Sequence, residues 1–196
     1  KLLMKLNKLF TKEGHIINGP FIIEPHLFKD ERGLFFESWN KEKFKELISK
    51  KIDFVQDNFS FSKKGVIRGL HYQLNPFPQA KLVRCSKGKI FDVIVDIRAK
   101  SPTYGKWAAV QLSDSDHKQI WVPEGFAHGF LALTEGVIVE YKTTLKWKKK
   151  FERAINWDDK EIGIEWPILK KNTYCLSNKD QNAPFLNEAK LIGEIF

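Results

Sequence analysis

Cysteine is nearly missing from this chain of 196 residues, with Cys85 and Cys175 the only two. They form no CxxC redox or zinc motif, and one distant pair is no framework for a small disulfide-built fold, so both are expected as free thiols in the core. No apolar run approaches the length that spans a bilayer, and the leading KLLMKLNKLFTKEGH has neither a sustained apolar region nor a small-residue cleavage site. A cytoplasmic protein without a membrane partner is therefore expected. There is also no internal repeat, linker or low-complexity tract, so residues 1–196 read as one domain with a substantial core.

Arginine is scarce as well, supplying five of the 33 basic residues. The lysines are spread along the whole chain rather than gathered in a stripe. The formal charge of +9 thus reads as a solvated surface, with no nucleic-acid partner expected and an anionic small substrate compatible. A chain that spends lysine so freely keeps arginine where a planar, bidentate fork matters. Arg32 lies in DERG and Arg68 in IRGLH, whereas Arg84, Arg98 and Arg153 are read as ion-pair residues.

A further absence is the His-x-His pair with which β-barrels commonly hold a metal, side chains two apart on a strand facing the same way. Within GVIRGLHYQLNPFPQAKLVR, residues 65–84, the sequence runs His71-Tyr72-Gln73, and an amide is a poor transition-metal ligand. No metal is expected.

What is present is mostly β pattern. GPFIIEPHLF, GLFFESW, FVQDNFSFS, KIFDVIVDIR, WAAVQLS, QIWVP, HGFLAL and VIVEYKTTLKW are short and rich in branched or aromatic residues, with glycine, proline, aspartate and serine between them. That punctuation predicts an all-β sandwich, jelly roll or barrel. One amphipathic helix is expected in NKEKFKELISKKI, capped by Asn40 with Phe44, Leu47 and Ile48 inward. WPILKKNTYCLSNKDQNAPFL reads as loop packed back on the barrel. Counting along VIVEYKTTLKW puts Val137, Val139, Tyr141, Thr143, Leu145 and Trp147 on one face, so Tyr141 and Trp147 are expected to point inward. Arg68 and His71 have opposite parity, and a bulge or strand end at Gly69 would bring them together.

The ordered set DERGLFFES, FVQDNFSFS, GVIRGLHYQ, QAKLVR, GKIFDVIVDIRAKSPTYGKW, WVPEGFAHGF, EYKTT, INWDD, IEWP and LSNKDQNAP resembles the dTDP-4-dehydrorhamnose 3,5-epimerases over roughly Lys5 to Leu186. The resemblance implies a cupin-like jelly-roll barrel with few short helices, a homodimer without metal or cofactor that inverts C3 and C5 of a dTDP-linked 4-keto-6-deoxy sugar. It implies His71 as catalytic base, Asp180 as its partner and Tyr141 as proton donor. Lys81, Arg68 and His128 would surround the sugar and its enolate. Arg32, Glu37, Gln56, Asp57, Asn58, Glu152 and Lys179 match nucleotide-sugar positions, some arriving from the neighbouring subunit. Where the family commonly stacks a tyrosine on thymine this chain has Trp147, which keeps and enlarges the π face. The preceding position, often tyrosine, is Lys146.

The residue types suit that chemistry. A hydrogen beside a ketone is acidic because the carbanion delocalises onto oxygen, so a base is needed at the C–H and a cation at the oxygen. Histidine is largely unprotonated at neutral pH, an aspartate behind it fixes the tautomer, and lysine or arginine offsets the enolate charge. Inversion also needs a proton from the opposite face, and a tyrosine is normally protonated. Alternatives are a C3-only or C5-only epimerase or a ketoisomerase on a related nucleotide sugar. A metal-dependent barrel and a non-catalytic binding barrel are disfavoured by the missing His-x-His and by the proton-transfer set.

Overall fold

The structure, a computed structural model, describes residues 4–48, 52–169 and 174–196. In chain order the strands are β1 (Met4–Phe10), β2 (Ile16–Pro25), β3 (Phe28–Asp30), β4 (Gly33–Phe35), β5 (Gln56–Ser62), β6 (Ile67–Gln73), β7 (Lys81–Lys87), β8 (Lys89–Asp96), β9 (Trp107–Ser113), β10 (Gln119–Val122), β11 (Phe126–Ala132), β12 (Val137–Thr143) and β13 (Glu152–Ala154). They form a six-stranded sheet ordered β1-β2-β10-β7-β12-β5, a five-stranded sheet ordered β13-β6-β11-β8-β9 and the separate hairpin β3-β4. The chain crosses repeatedly between the two large sheets, whose strand pairings are antiparallel. The all-β, cupin-like jelly-roll expectation holds.

Side-chain alternation decides what lies between the sheets. Val83, Cys85, Ile120 and Val139 of the larger sheet pack against Ile90, Ile94, Phe126 and Phe130 of the smaller. The smaller sheet is also covered outside, where Tyr72, Val93, Val95 and Leu131 meet Trp166, Leu186 and Ala189 of the carboxy-terminal segment. Burial on both faces is why β8 and β11 are near-continuous apolar runs. The covering segment is more ordered than the loop expected from sequence, since it contains α2 (Asn178–Gln181) and α3 (Leu186–Leu191). Residues 170–173 of that stretch lie outside the described ones.

The predicted amphipathic helix is α1 (Lys41–Ile48), with Asn40 Oδ1 accepting from the Glu42 and Lys43 amides at 3.1 and 3.2 Å. Phe44 buries against Trp121 and Leu82, closing one end of the larger sheet from outside. The expected extension enters residues 49–51, outside the described set, and Ile52 beyond them is not helical. Strands β1 and β7 were not anticipated as segments, because lysines interrupt the apolar alternation of MKLNKLF and KLVRCSK. Both cysteines are free, but only Cys85 is buried; Cys175 is exposed, contrary to the core reading.

Two local features set up the interior. The β6–β11 pairing joins His71 to His128 and Arg68 to Phe130, three steps on one strand against two on the other, so a bulge lies between Arg68 and His71. Gly69 is the residue that permits it: its φ is +133°, and a Cβ there would sit 2.6 Å from Gly129 Cα and 2.9 Å from the His128 carbonyl oxygen. The second feature is the early end of β12 at Thr143, whose Oγ1 donates to the Leu145 carbonyl at 2.9 Å. Parity counting therefore fails beyond Thr143. Tyr141 packs on the core as expected, but Trp147 leaves the strand and is 49% exposed.

Candidate active site

His71 projects from β6 of the smaller sheet, and its Nε2 lies 2.6 Å from Oδ1 of Asp180. Asp180 is placed by α2, where Ser177 Oγ accepts from the Asp180 amide at 3.1 Å. Its other oxygen accepts from the Gly69 amide at 3.4 Å, so the bulge glycine also helps to hold the carboxylate. Burial alone would raise the Asp180 pKa, but bonds from His71, Gly69 and Ser177 outweigh it and hold the carboxyl below its ordinary value. Asp180 thus stays an anion behind the ring, leaving Nδ1 as the ring nitrogen that it does not engage.

The facing wall comes from the larger sheet. Tyr141 on β12 pairs in register with Asn58 of β5 and Val83 of β7. Burial raises its pKa, Glu152 raises it further and Arg68 partly opposes them, so the phenol keeps its proton through neutral pH. Lys81 on β7 joins the walls: its Nζ donates to the His71 carbonyl at 3.3 Å and lies 6.0 Å from the Tyr141 ring centroid. Burial pushes the Lys81 ammonium down to about 8, against the pull of Asp92 and Glu152. Its charge is therefore complete well below that value and is lost as pH rises through it. The alkaline limb of kcat/KM is expected near pH 8, and Lys81→Arg should displace that limb upward. A limb unmoved in the arginine variant would detach Lys81 from it.

Beside them, His128 Nε2 lies 2.9 and 3.0 Å from the two oxygens of the fully buried Asp92. Asp92 was missed in the sequence reading, although a carboxylate at an inward position of the apolar strand KIFDVIVD is a usable signal. Arg68 Nε donates to Ser62 Oγ at 3.0 Å, on the inner side of β5. A cavity of about 320 Å³ opens next to Tyr141, lined also by Gln56, Asn58, Gln79, Trp147 and Glu152. Lys179 spans to Glu152 at 2.6 Å, linking α2 to β13. Gln79 is a lining residue that the sequence reading overlooked.

Three predicted binding residues are not brought into this group. Asp57 alternates with Gln56 and Asn58, which sends it to the outer face, where it pairs with Lys142 at 2.9 Å. Glu37 pairs with Lys43 at 2.7 Å, and Arg32 pairs with Asp30 on the exposed β3-β4 hairpin. Arg84, Arg98 and Arg153 make ion pairs as expected, with Glu140, Asp96 and Glu194. The Arg98 partner is wholly buried, so that pair is more than a surface contact.

His71 and Tyr141 thus stand on facing sheets of a jelly roll, with the buried Lys81 bonded to the His71 carbonyl and close to the Tyr141 ring. The chain belongs to the dTDP-4-dehydrorhamnose 3,5-epimerase family, whose sequence profile matches residues 15–188. A dTDP-4-dehydrorhamnose 3,5-epimerase of Shigella flexneri is 54% identical over 161 residues, covering 82% of this chain and 87% of that protein. The crystal structure of a Legionella pneumophila dTDP-6-deoxy-D-glucose-3,5-epimerase in complex with dTDP-4-keto-L-rhamnose superposes with TM-score 0.85 at 43% identity, covering 93% of this chain and 94% of that one. A 3'-monoepimerase of Streptomyces bikiniensis in complex with dTDP-quinovose gives TM-score 0.86 at 32% identity, covering 91% and 89%. Among the described residues, no helix is long and apolar enough to cross a membrane.

Proposed function

We propose that this chain, as a single nucleotide-sugar epimerase domain, inverts C3 and C5 of dTDP-4-dehydro-6-deoxy-D-glucose to give dTDP-4-dehydro-L-rhamnose. The observation that carries the reading is the placement of His71 and Tyr141 on facing sheets with Lys81 joined to one and close to the other. A sugar between the walls loses its α-proton to His71, while Asp180 stabilises the imidazolium. Lys81, with Arg68 and His128, offsets the charge that builds on the C4 oxygen, and Tyr141 returns a proton from the other side. Gln56, Asn58 and Glu152, which line the cavity beside Tyr141, would hold the rest of the nucleotide sugar together with Lys179, the ion-pair partner of Glu152, and Trp147 would be the platform for thymine. The identity of 54% to the Shigella flexneri 3,5-epimerase, against 32% to the 3'-monoepimerase, favours inversion at both carbons. Incubation with the dTDP-4-keto-6-deoxy sugar in deuterated water tests this: deuterium should enter at C3 and C5 with both configurations inverted. Label at one carbon only would make the chain a monoepimerase.

The same reading has the chain working as a homodimer with shared sites. Phe59 and Phe61 stand 65% and 55% exposed on β5, an edge strand of the larger sheet. The β3-β4 hairpin projects Phe35, 70% exposed, beside Arg32. Aromatic surface on a free strand edge favours pairing with another chain, and a second copy would accept the hairpin together with Arg32. Mixing separately inactive Arg32→Ala and His71→Ala chains should then restore about a quarter of wild-type activity, because half of a random mixture is heterodimer with one intact site. No recovery after subunit exchange would confine each site to one chain. The free thiols of Cys85 and Cys175 fit the reducing cytoplasm as its location.

A further inference from the structure

Gln73 stands two residues beyond His71 on β6, on the same side of the strand, where a metal-binding barrel would carry its second imidazole. It is 2% exposed, and both ends of its amide are engaged. Nε2 donates to the Phe77 carbonyl at 2.7 Å and to the Lys146 carbonyl at 3.4 Å, while Oε1 accepts from the Lys148 amide at 2.6 Å. The last two partners bracket Trp147. Neighbouring groups are met in the same way, since Gln79 Nε2 donates to the Leu145 carbonyl at 2.7 Å and Gln56 Oε1 accepts from the Trp147 amide at 2.9 Å. Amide side chains thus hold residues 145–148 in place after β12 has ended, and the half-exposed indole is located mainly through its backbone.

We infer that Gln73 is a positioning residue, its buried amide tying the loop that presents Trp147 to the strand that presents His71. The inference rests on the reading of Trp147 as the thymine platform. The residue type follows from the bonds required. Two donors and one acceptor on one short planar group are what a primary amide offers, whereas a carboxylate only accepts and a neutral imidazole has one donor. His71-Tyr72-Gln73 is then a coupling of the two ends of the site: the base-binding end cannot shift without pulling on the strand that places the base catalyst.

The test is a double-mutant cycle on dTDP binding by calorimetry, using wild type, Trp147→Ala, Gln73→Met and the double variant. Each single change should weaken dTDP roughly tenfold, or about 1.4 kcal/mol. The double variant should bind no more than about twofold weaker than Trp147→Ala alone, because the glutamine acts through the indole. In turnover, Gln73→Met should raise KM and lower kcat together. Wild-type affinity in Gln73→Met, or losses that simply add in the double variant, would overturn the inference and leave Gln73 a core amide. Wild-type affinity in Trp147→Ala would overturn the platform reading first and this inference with it. Should circular dichroism show Gln73→Met unfolded, Gln73→Glu takes its place under the same criteria; it keeps the volume and the acceptor but has no amide donor.

Discussion

His71→Ala is expected to stop deuterium uptake from solvent at both C3 and C5, with turnover falling at least about a thousandfold, within the range for loss of a positioned general base. One imidazole is asked to serve both α-carbons that flank the C4 ketone, in a sugar that turns or rearranges between steps, so both exchanges should fail together. The side chain is only partly buried and its Nε2 bond to Asp180 is its polar anchor, so the variant should fold. Chelator treatment of the wild type should leave the rate unchanged. Exchange at the normal rate in His71→Ala, or activity that a chelator removes and a metal restores, would end the proposal of a metal-free histidine base. Asp180 offers an internal comparison. Asp180→Asn keeps the shape of the pair but removes the anion behind the imidazolium, so it should slow exchange without abolishing it.

Removal of a proton and inversion of a centre separate in Tyr141→Phe. His71 can take a proton from one face and return one to the same face, which washes label into the substrate without changing configuration. Net inversion needs a donor on the other wall, and burial together with Glu152 keeps the Tyr141 phenol protonated there. The phenylalanine ring preserves the packing of Tyr141 on the core and deletes only the hydroxyl. Deuterium entry should therefore survive at one or both α-positions, while inversion, particularly at C5, falls by on the order of a hundredfold or more. Mass spectrometry for exchange and proton couplings for configuration can be read from the same sample. Inversion at the wild-type rate would remove Tyr141 from the mechanism, and equal losses of exchange and inversion would move it to enolate formation.

Much of the scaffold was legible because its signals are local. Branched and aromatic residues between turn formers located β9 at Trp107–Ser113, alternation located the inward set of β12 as far as Thr143, and the cap at Asn40 located the start of α1. Opposite parity of Arg68 and His71 pointed to a bulge or a strand end at Gly69, and the pairing of β6 with β11 is bulged there. Trp147 was misplaced because parity holds only while a strand continues. What ends β12 is local, at Thr143, but what then places the indole is a set of bonds to Gln56, Gln73 and Gln79, far away in the chain. Cys175 was misjudged for a related reason, since hydrophobic residue types say what tends to be buried and not which loop finds cover.

By itself the sequence determined the β periodicity, the amphipathic helix α1, and the presence of a histidine, a tyrosine and a lysine of the types that proton transfer beside a ketone would use, because residue type and strand parity are properties of neighbouring residues. Only the tertiary structure decided which of those groups meet. The crossing of β6, β7 and β12 between two sheets sets His71 opposite Tyr141 with Lys81 joining them, and it buries Lys81 deeply enough to bring its pKa to about 8. The same packing turns Asp57 outward and leaves Arg32 on a hairpin beyond the barrel. Distance between side chains and loss of water around a charge are set by contacts between residues remote in sequence, and these appear only when the sheets close on one another.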